Sequence, residues 1–458
     1  MTKYDKKDYL KFNMKSIVSK LSPPQLIMIV FFILIIIGTA LLMLPVSSSG
    51  PHSVTFLDAL FTATSAICVN GLVVVDTGLT YSTFGQGIIM ILIQIGGLGF
   101  MTLGVIIAIV LGKRIGLKQR LIIQQTTHSN SSSGLVKLCL YIACIAFVFE
   151  AVAVCVLTTR WMAELGLKDA FFHASFYSIS AFNNAGFSIW SDSLSEFIDD
   201  PVVNLTIMGL FISGGLGYIV IVEIFRKRNW KKLTLHSKIV LVSSGALLLT
   251  GFLLIYALES MNPDTFGQLT WSERLWSGWF QSATARSAGF NTIDINSMLS
   301  SSQLVLILLM FIGASSGGTG GGIKTTTFFV LLLATFTTFR GGGQIHAFER
   351  KIPSETIMRA LAVVISSLSF VFLVALLLTV TEGIHEEHFM EVLFEATSAF
   401  STAGLSMGLT SELSSVGKCI VIVTMFIGRL GPLTLAYALA KKKRKSKLGY
   451  AEDQVLIG

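Results

Sequence analysis

The chain has 458 residues, of which 52% are hydrophobic and only 13% charged, and its mean hydropathy is +0.73. Soluble domains carry about 25% charged residues, so this composition excludes a soluble globular domain and puts the chain in a membrane. The formal net charge of +8 does not argue for nucleic acid, which needs a basic face on a soluble fold; here the bases stand between apolar runs, where they set topology.

Residues 1–22 are polar and carry Lys3, Lys6, Lys7, Lys11, Lys15 and Lys20, without the apolar core and small-residue cleavage site of a signal peptide. Pro23-Pro24 then opens an apolar run over 26–44, long enough for a span of ~20 residues. A segment over 56–72, too short to cross, follows Pro45. A second span over about 87–111 comes next, softly interrupted by Gly96-Gly97-Leu98-Gly99. The same order recurs three times: spans at about 138–157 and 203–225 around a segment ending at Gly186, at 239–258 and 304–339 around one ending at Gly289, and at 360–380 and 419–440 around one ending at Gly404. The expectation is an all-α polytopic membrane protein of eight spans and four re-entrant segments. It divides into a cytoplasmic segment 1–22, four pseudo-symmetric span, pore-helix, span modules (23–120, 130–232, 236–340 and 353–440) around one central pore, and a cytoplasmic tail 441–458. The five cysteines (Cys68, Cys139, Cys144, Cys155 and Cys419) show no paired spacing, which excludes a disulfide framework or zinc site and makes them packing residues.

Lysine and arginine in short loops mark the cytoplasmic side. One side receives the N-terminal lysines, Lys113, Arg114, Lys118 and Arg120, the cluster from Arg226 to Lys232, then Arg340, Arg350, Lys351 and the tail Lys441 to Lys447. The other side holds acids, including Asp76, Glu382, Glu386 and Glu387. A multi-pass protein of the cell membrane with both termini cytoplasmic follows, and the short segments enter from outside.

The short segments are copies of one another. Leu393-Phe394-Glu395-Ala396-Thr397-Ser398-Ala399-Phe400-Ser401-Thr402-Ala403-Gly404-Leu405 has counterparts ending at Gly71, Gly186 and Gly289, and an aromatic residue stands ten positions before each glycine (Phe61, Phe176, Trp279, Phe394). A repeat must be sought before anything else, and this one is too long for a solenoid. Non-helical backbone at membrane depth survives only where protein buries it or it lines a wet cavity, so four such segments imply a shared aqueous axis. Helix C-termini aimed at that axis carry about −0.5 elementary charge and favour a cation. The residues before each glycine, Ile67-Cys68-Val69-Asn70-Gly71, Phe182-Asn183-Asn184-Ala185-Gly186, Ala285-Arg286-Ser287-Ala288-Gly289 and Phe400-Ser401-Thr402-Ala403-Gly404, are placed to present carbonyls that replace a hydration shell. The bland alternative is small residues that let helices pack; four copies, each between two spans, weigh against it.

This arrangement resembles the Ktr/Trk/HKT superfamily of potassium transporters over nearly the whole chain, and the string Thr284-Ala285-Arg286-Ser287-Ala288-Gly289-Phe290-Asn291-Thr292 is the most specific local match. Because the sequence starts directly with module one, without the leading pair of spans typical of Trk, it is most similar to the membrane subunit of a bacterial Ktr system. The resemblance implies an ion transporter and not an enzyme, potassium held at filter backbone carbonyls, and no cofactor in this chain. In plant relatives a serine at the first filter glycine accompanies sodium transport, and Gly71 stands here. Asn70 departs from the threonine common in the family; its carbonyl still serves, while its side chain bears on the filter mouth.

Between Phe311 and Phe328 lies Gly313-Ala314-Ser315-Ser316-Gly317-Gly318-Thr319-Gly320-Gly321-Gly322-Ile323-Lys324, six glycines in ten residues, at about 1 kcal/mol each against a helix. A flexible loop within a span is expected over 313–327. A phosphate-binding loop is excluded, because Ile323 separates Gly322 from Lys324 and that motif needs Gly-Lys-Ser/Thr. In module four Gly428-Arg429-Leu430-Gly431 puts Arg429 where Gly97 and Gly215 stand. A mid-span charge costs about 2.5–3.5 kcal/mol and marks function by default; a structural arginine tied to helix-end carbonyls is the bland reading. In the resembled family the glycine-rich loop is an intramembrane gate below the filter, and an arginine at this position contacts it.

Glu150 is expected to pair with a neighbouring helix's backbone, and Arg286 to brace its strand through Asp294 or Glu395. His173, Asp58 and Glu395 sit near pore-helix starts or faces, where capping or packing is the preferred reading. The resemblance further implies a homodimer with the tail at the dimer contact, and a Ktr-type cytosolic ring of nucleotide-binding regulatory subunits on the basic face, nucleotide being confined to that partner. The bases also touch anionic membrane lipid. Sodium or proton coupling stays open. The other reading, an ion-translocating subunit of a primary potassium pump complex, finds no ATPase element in this chain to favour it.

Overall fold

A computed structural model describes residues 23–50, 53–110, 135–383 and 388–431. The segment 1–22, the bases at 113–120, Glu386, Glu387, the end of the 419–440 span and the tail 441–458 lie outside the described residues. Among the described residues the regular structure is helical apart from one small hairpin, β1 (His346–Ala347) and β2 (Arg350–Lys351).

The first group is α1 (Pro23–Leu42), the short α2 (Phe56–Cys68) and α3 (Thr83–Val110). α3 breaks at Gly99, whose φ of 74° no helix accommodates. The second is α4 (Leu135–Phe182), α5 (Pro201–Leu216) and α6 (Tyr218–Lys227). α4 breaks at Gly166 (φ 76°), so its second part, 167–182, is a separate short helix. The third is α7 (Leu235–Glu259), α8 (Trp271–Thr284), α9 (Ser300–Phe311) and α10 (Thr325–Phe339), and the fourth α11 (Ser354–Glu382), α12 (Phe389–Ser401) and α13 (Ser415–Leu430). The helix starts follow from their caps. Asp200 accepts from the amides of Val202 and Val203 ahead of α5, with Pro201 at its first position. Thr270 and Glu273 form a reciprocal capping box on α8, which satisfies amides that a helix end leaves orphaned.

Among the described residues three helices are long and apolar enough to cross a membrane: α7, α11 and the 140–182 part of α4. α5 and α6, bent by 97° at Gly217, make a fourth if read as one span. The other expected spans are shorter or interrupted, and α13 is described only to Leu430. Their outward surfaces are apolar, with Phe32, Ile33, Ile36 and Ile37 of α1 and Leu368, Phe372 and Leu376 of α11 exposed. Patches on this scale mark an interaction surface, and along membrane-length helices that surface is for lipid. Of the described cysteines only Cys68 is buried; Cys144, Cys155 and Cys419 are exposed, so they face outward and do not pack the interior as expected.

In lipid no hydrophobic force pushes helices together, and close packing with interhelical hydrogen bonds holds them instead. Gly38 lets α1 approach α3, where an added Cβ would meet Leu92 at 2.9 Å. The Ser282 hydroxyl donates to the Leu248 carbonyl across α8 and α7 at 2.8 Å. Within each group the short helix packs on its own long helices, and between groups α3 meets α4, α5 meets α8, α9 meets α12 and α13 meets α2. The packing therefore closes on itself.

Candidate ion-binding site

The four short helices, α2, 167–182, α8 and α12, stop in one way. Val69, Asn184, Ser287 and Thr402 each take the left-handed conformation (φ 54°, 59°, 66° and 48°), and each stands two residues before Gly71, Gly186, Gly289 or Gly404, whose φ values are 95°, 69°, 81° and 79°. Left-handed backbone at a β-branched valine or threonine is a strained state, kept only where surroundings over-determine it. Those surroundings are hydrogen bonds: the amides of Asn70, Ala185 and Ala403 donate to the carbonyls of Ser65 (2.8 Å), Ser180 (2.7 Å) and Ser398 (3.0 Å), the closure of a left-handed helix end. In the third copy the Ala288 amide donates to Thr284 instead, at 2.9 Å.

The expected extended stretches are thus shorter than the sequence indicates. Ile67, Cys68, Phe182, Phe400 and Ser401 are the last helical residues of their segments, and Ala285 is the αR cap of α8. The carbonyls of Ile67, Phe182 and Phe400 lie against Gly96, Gly214 and Gly428 of the following helices, where any Cβ would collide with them. Three of the repeated aromatics, Phe61, Phe176 and Phe394, are buried; Trp279 is half-exposed and stacks on Phe252 at 4.4 Å.

The four glycines meet in a closed ring. A Cβ at Gly71 would lie 2.5 Å from the Ala185 carbonyl oxygen, one at Gly186 2.9 Å from that of Ala288, one at Gly289 3.0 Å from that of Ala403, and one at Gly404 would collide with that of Asn70. Each glycine therefore abuts the carbonyl that precedes the next glycine around the ring. A vestibule of about 380 Å³ opens on one side, lined by all four glycines and by Asp76, Ser188, Asn291 and Ser406. Side chains brace the ring from behind. Asn70 donates to the Ala399 carbonyl (3.0 Å) and accepts from the Leu72 amide (3.2 Å), so its amide ties α2 to α12. Ser287 donates to the Ser401 carbonyl at 2.9 Å. Asn183 donates to Gln94 (2.7 Å) and to Glu150 (3.2 Å), and Gln94 donates to Glu150 (3.1 Å); Glu150 binds side chains, not the backbone expected.

On the other side lies the glycine-rich loop. It runs from Ile312 to Lys324, and Thr325, Thr326 and Thr327 already belong to α10. Thr319 donates to the Asn184 side chain (2.7 Å), the Gly321 amide donates to the Thr402 hydroxyl (2.9 Å), and a Cβ at Gly320 would lie 2.7 Å from that of Ser287. The loop thus touches three of the four left-handed residues. Its outer limb is stitched to the α5–α6 bend, with the amides of Ser315 and Thr319 donating to Gly215 (3.0 Å) and Gly214 (3.2 Å), and that of Tyr218 to Gly317 (3.2 Å). Gly313 and Gly322 pack against each other, Ala314 is buried, Ser316 pairs with Thr326, and Gly318 rests on Gly215. Lys324 donates to the Gly320 carbonyl at 2.6 Å. Arg429, from α13, donates to the Thr319 carbonyl and, at 2.6 Å, to the Gly96 carbonyl at the α3 break. One guanidinium joins the loop to the first helix group.

The remaining polar residues make contacts within the protein. Arg286 reaches neither Asp294 nor Glu395; it donates to the Ser244 carbonyl (3.4 Å) and hydroxyl (3.2 Å) of α7. Glu395 accepts from Ser406 and from Thr410 (2.8 Å), tying α12 to the vestibule wall. Asp58 accepts from Thr55 and pairs with Lys418 at 2.8 Å across α2 and α13. His173 lies against Trp190, ring centres 5.2 Å apart. The left-handed residues and the Asn183–Gln94–Glu150 cluster escape sequence reasoning. The four left-handed positions hold Val69, Asn184, Ser287 and Thr402, which share no residue type that could have signalled the first.

Comparison with known proteins bears on what such a ring does. The family described as TrkH, cation transport protein, matches residues 6–448. The chain is 44% identical over 439 residues to Ktr system potassium uptake protein B of Bacillus subtilis (strain 168), covering 96% of this chain and 97% of the relative. It is 39% identical over 454 residues to Ktr system potassium uptake protein D of the same organism, covering 98% and 100%. In fold it is similar to the crystal structure of the potassium transporter TrkH from Vibrio parahaemolyticus, with a TM-score of 0.69 and 20% identity over 90% of this chain and 84% of that one.

Proposed function

The chain belongs to the TrkH family of cation transport proteins, a membrane transporter family, and from that premise we propose that it takes up potassium through the glycine ring. The four carbonyls of Asn70, Ala185, Ala288 and Ala403 replace the ion's hydration shell. The C-terminal ends of the four short helices supply partial negative charge from behind. The reading makes each helix group one of four pseudo-equivalent modules around a single pore, with the vestibule outside and both termini in the cytoplasm. One observation carries it: each glycine abuts its neighbour's carbonyl in a cycle that returns to its start.

The loop from Ile312 to Lys324 is the gate in this reading. It fills the inner side of the ring, and its contacts with Asn184 and Thr402 block an ion leaving the carbonyls. Arg429 holds the loop shut by bonding to it and to the α3 break together. Its positive charge also repels a cation at the same level. Opening requires the loop to slide from Arg429 and Asn184 toward α10. A cytosolic nucleotide-binding ring on a dimer of this chain would supply that motion, as the names of the Ktr relatives support only in placing them in a multi-part system.

The test is flux. The purified chain with its natural partner, in liposomes with potassium, rubidium and sodium varied one at a time, is expected to pass potassium and rubidium in preference to sodium. Folded, inserted protein that passes neither would overturn the reading.

A further inference from the structure

We propose that an anionic phospholipid of the cytoplasmic leaflet binds in a pocket beside the gating loop and biases it; this rests on the transport reading and the orientation given above. The pocket, about 610 Å³, lies between the start of α6, the starts of α7 and α11, and α10, and Ser316 and Gly317 of the loop form its inner wall. The volume falls in the range of roughly 300–1,000 Å³ that holds small ligands. Its floor is apolar, with Ile219, Ile239, Val330, Ile352, Ala360 and Val363. Its rim is basic, with Lys351 and Arg359. An apolar floor under a cationic rim matches an acyl chain beneath an anionic headgroup.

The surroundings mark this level of the molecule as a membrane–water boundary. Trp230 and Phe348 are both exposed and meet edge to face at 6.4 Å, and the Lys238 ammonium lies 5.9 Å from the Phe348 ring centre. Exposed aromatics beside bases are the signature of helix ends at the headgroup layer. Below them α10 and α11 present apolar side chains outward, among them Leu332, Phe336, Leu361 and Ile365, so the pocket floor continues onto the lipid-facing surface. Among the described residues Arg359 pairs with Glu355, at 2.5 Å, and the two side chains are 65% and 75% exposed. Such pairs contribute little, and a phosphate that accepts from the fork of Arg359 displaces the carboxylate at small cost.

The pocket matters because of its inner wall. The Gly317 carbonyl accepts from the Tyr218 amide at 3.2 Å, and the Ser316 hydroxyl bonds that of Thr326 at 3.0 Å; these fasten the loop's outer limb. Opening needs that limb to move toward α10, into the pocket. A chain seated there resists the movement, so occupancy favours the closed loop and its loss favours the open one.

The full chain, purified without added lipid and then exposed to phosphatidylglycerol or phosphatidylcholine, is read by native mass spectrometry for retained lipid. Phosphatidylglycerol is expected to be retained in preference to phosphatidylcholine. In the Lys351→Ala/Arg359→Ala double variant retention falls about thirtyfold, at about 1 kcal/mol per basic residue near a membrane surface. Ala360→Phe, which fills the floor, loses retention while both bases remain. Equal retention of the two lipids, or retention unchanged in both variants, overturns the site whether or not the protein transports. The second arm compares rubidium flux in vesicles with and without phosphatidylglycerol. The parent is expected to run faster without it, and the double variant equally fast in both. Lipid bound as expected with no such difference overturns the coupling to the gate alone. A disulfide between Val363→Cys and a cysteine placed in the tail 441–458, formed in preference to lipid binding, would assign the pocket to the chain's own tail and overturn the proposal.

Discussion

A single methyl group is enough to test the ring. Gly289 holds φ at 81°, and a Cβ there would lie 2.7 Å from the Gly186 Cα and 3.0 Å from the Ala403 oxygen. Alanine therefore meets backbone on two sides, with about 1–2 kcal/mol of left-handed strain besides. Gly289→Ala is expected to lose uptake with membrane insertion intact; rubidium uptake in a potassium-uptake-deficient cell, set against the amount inserted, reads it. Gly71→Ser puts a Cβ 2.5 Å from the Ala185 oxygen and a hydroxyl at the ring, and in the proposed reading it is expected to open one carbonyl contact and shift selectivity toward sodium. Competition between sodium and rubidium measures that shift, and unchanged selectivity removes Gly71 from the filter. Arg429 is tested in the opposite direction. Its two carbonyl contacts are charge-assisted, worth about 1.5–3 kcal/mol each, so Arg429→Ala moves a closed-to-open equilibrium by about tenfold or more at the low end of that range. Basal flux rises accordingly; flux at or below the parent in a folded variant would remove the arginine from the gate.

The helix breaks show how much an element's role depends on what faces it. Gly99, Gly217 and Gly431 occupy matching places in α3, between α5 and α6, and after α13, and all hold positive φ (74°, 94° and 80°). Among the described residues nothing lies within 4 Å of a Cβ at Gly99 or Gly431, whereas one at Gly217 meets the Ser316 oxygen at 2.7 Å. Alanine at Gly99 is expected to cost the left-handed penalty of about 1–2 kcal/mol. At Gly217 it should also displace the loop, so thermal unfolding in detergent falls further for Gly217→Ala and basal flux rises with it. Equal destabilisation with unchanged flux would separate the bend from the gate. The interruption in α3 and the loop were legible in the sequence, because glycine clusters inside apolar runs have no helical explanation, and the short segments were legible from their repetition; the bend at Gly217 within the expected 203–225 span was not. The directions of the side chains were not legible either. Asn70 was expected to bear on the filter mouth, yet its amide turns sideways to Ala399. Arg286 had two acids as candidate partners and took the hydroxyl and carbonyl of Ser244. A buried side chain chooses among donors and acceptors by the distance that packing leaves, and sequence carries charge and size but not that distance. Gly166 was missed for a related reason: a lone glycine in an apolar run reads as a tolerated helix residue, and only its φ of 76° separates the span from the short helix after it.

At the scale of the molecule, the packing of α3 on α4, α5 on α8, α9 on α12 and α13 on α2 closes around the ring, and the loop lies against the ring's inner side. The described pieces on the loop's side are short: 228–234 after α6, and 340–353 with the β1–β2 hairpin after α10. The hydrogen bonds that pin the loop include those with Asn184, Thr402 and Arg429. In the proposed reading the force enters through α10, which begins at Thr325, directly after the loop, and ends at Phe339 beside the basic 340–351 turn. A partner that gripped that turn would draw on Lys324 and the loop through four helical turns of α10. The proposed dimer and nucleotide-binding ring then make a sharp prediction. Co-purification is expected to yield a dimer of this chain with the ring attached, and nucleotide exchange on the ring should change rubidium flux. Inserting two glycines between Phe339 and Arg340 slackens the linkage and should abolish the nucleotide response while leaving basal flux and ring binding unchanged. A response that survives the insertion would show that the force reaches the loop by another route, and a monomer with nucleotide-insensitive flux would remove the ring from the mechanism.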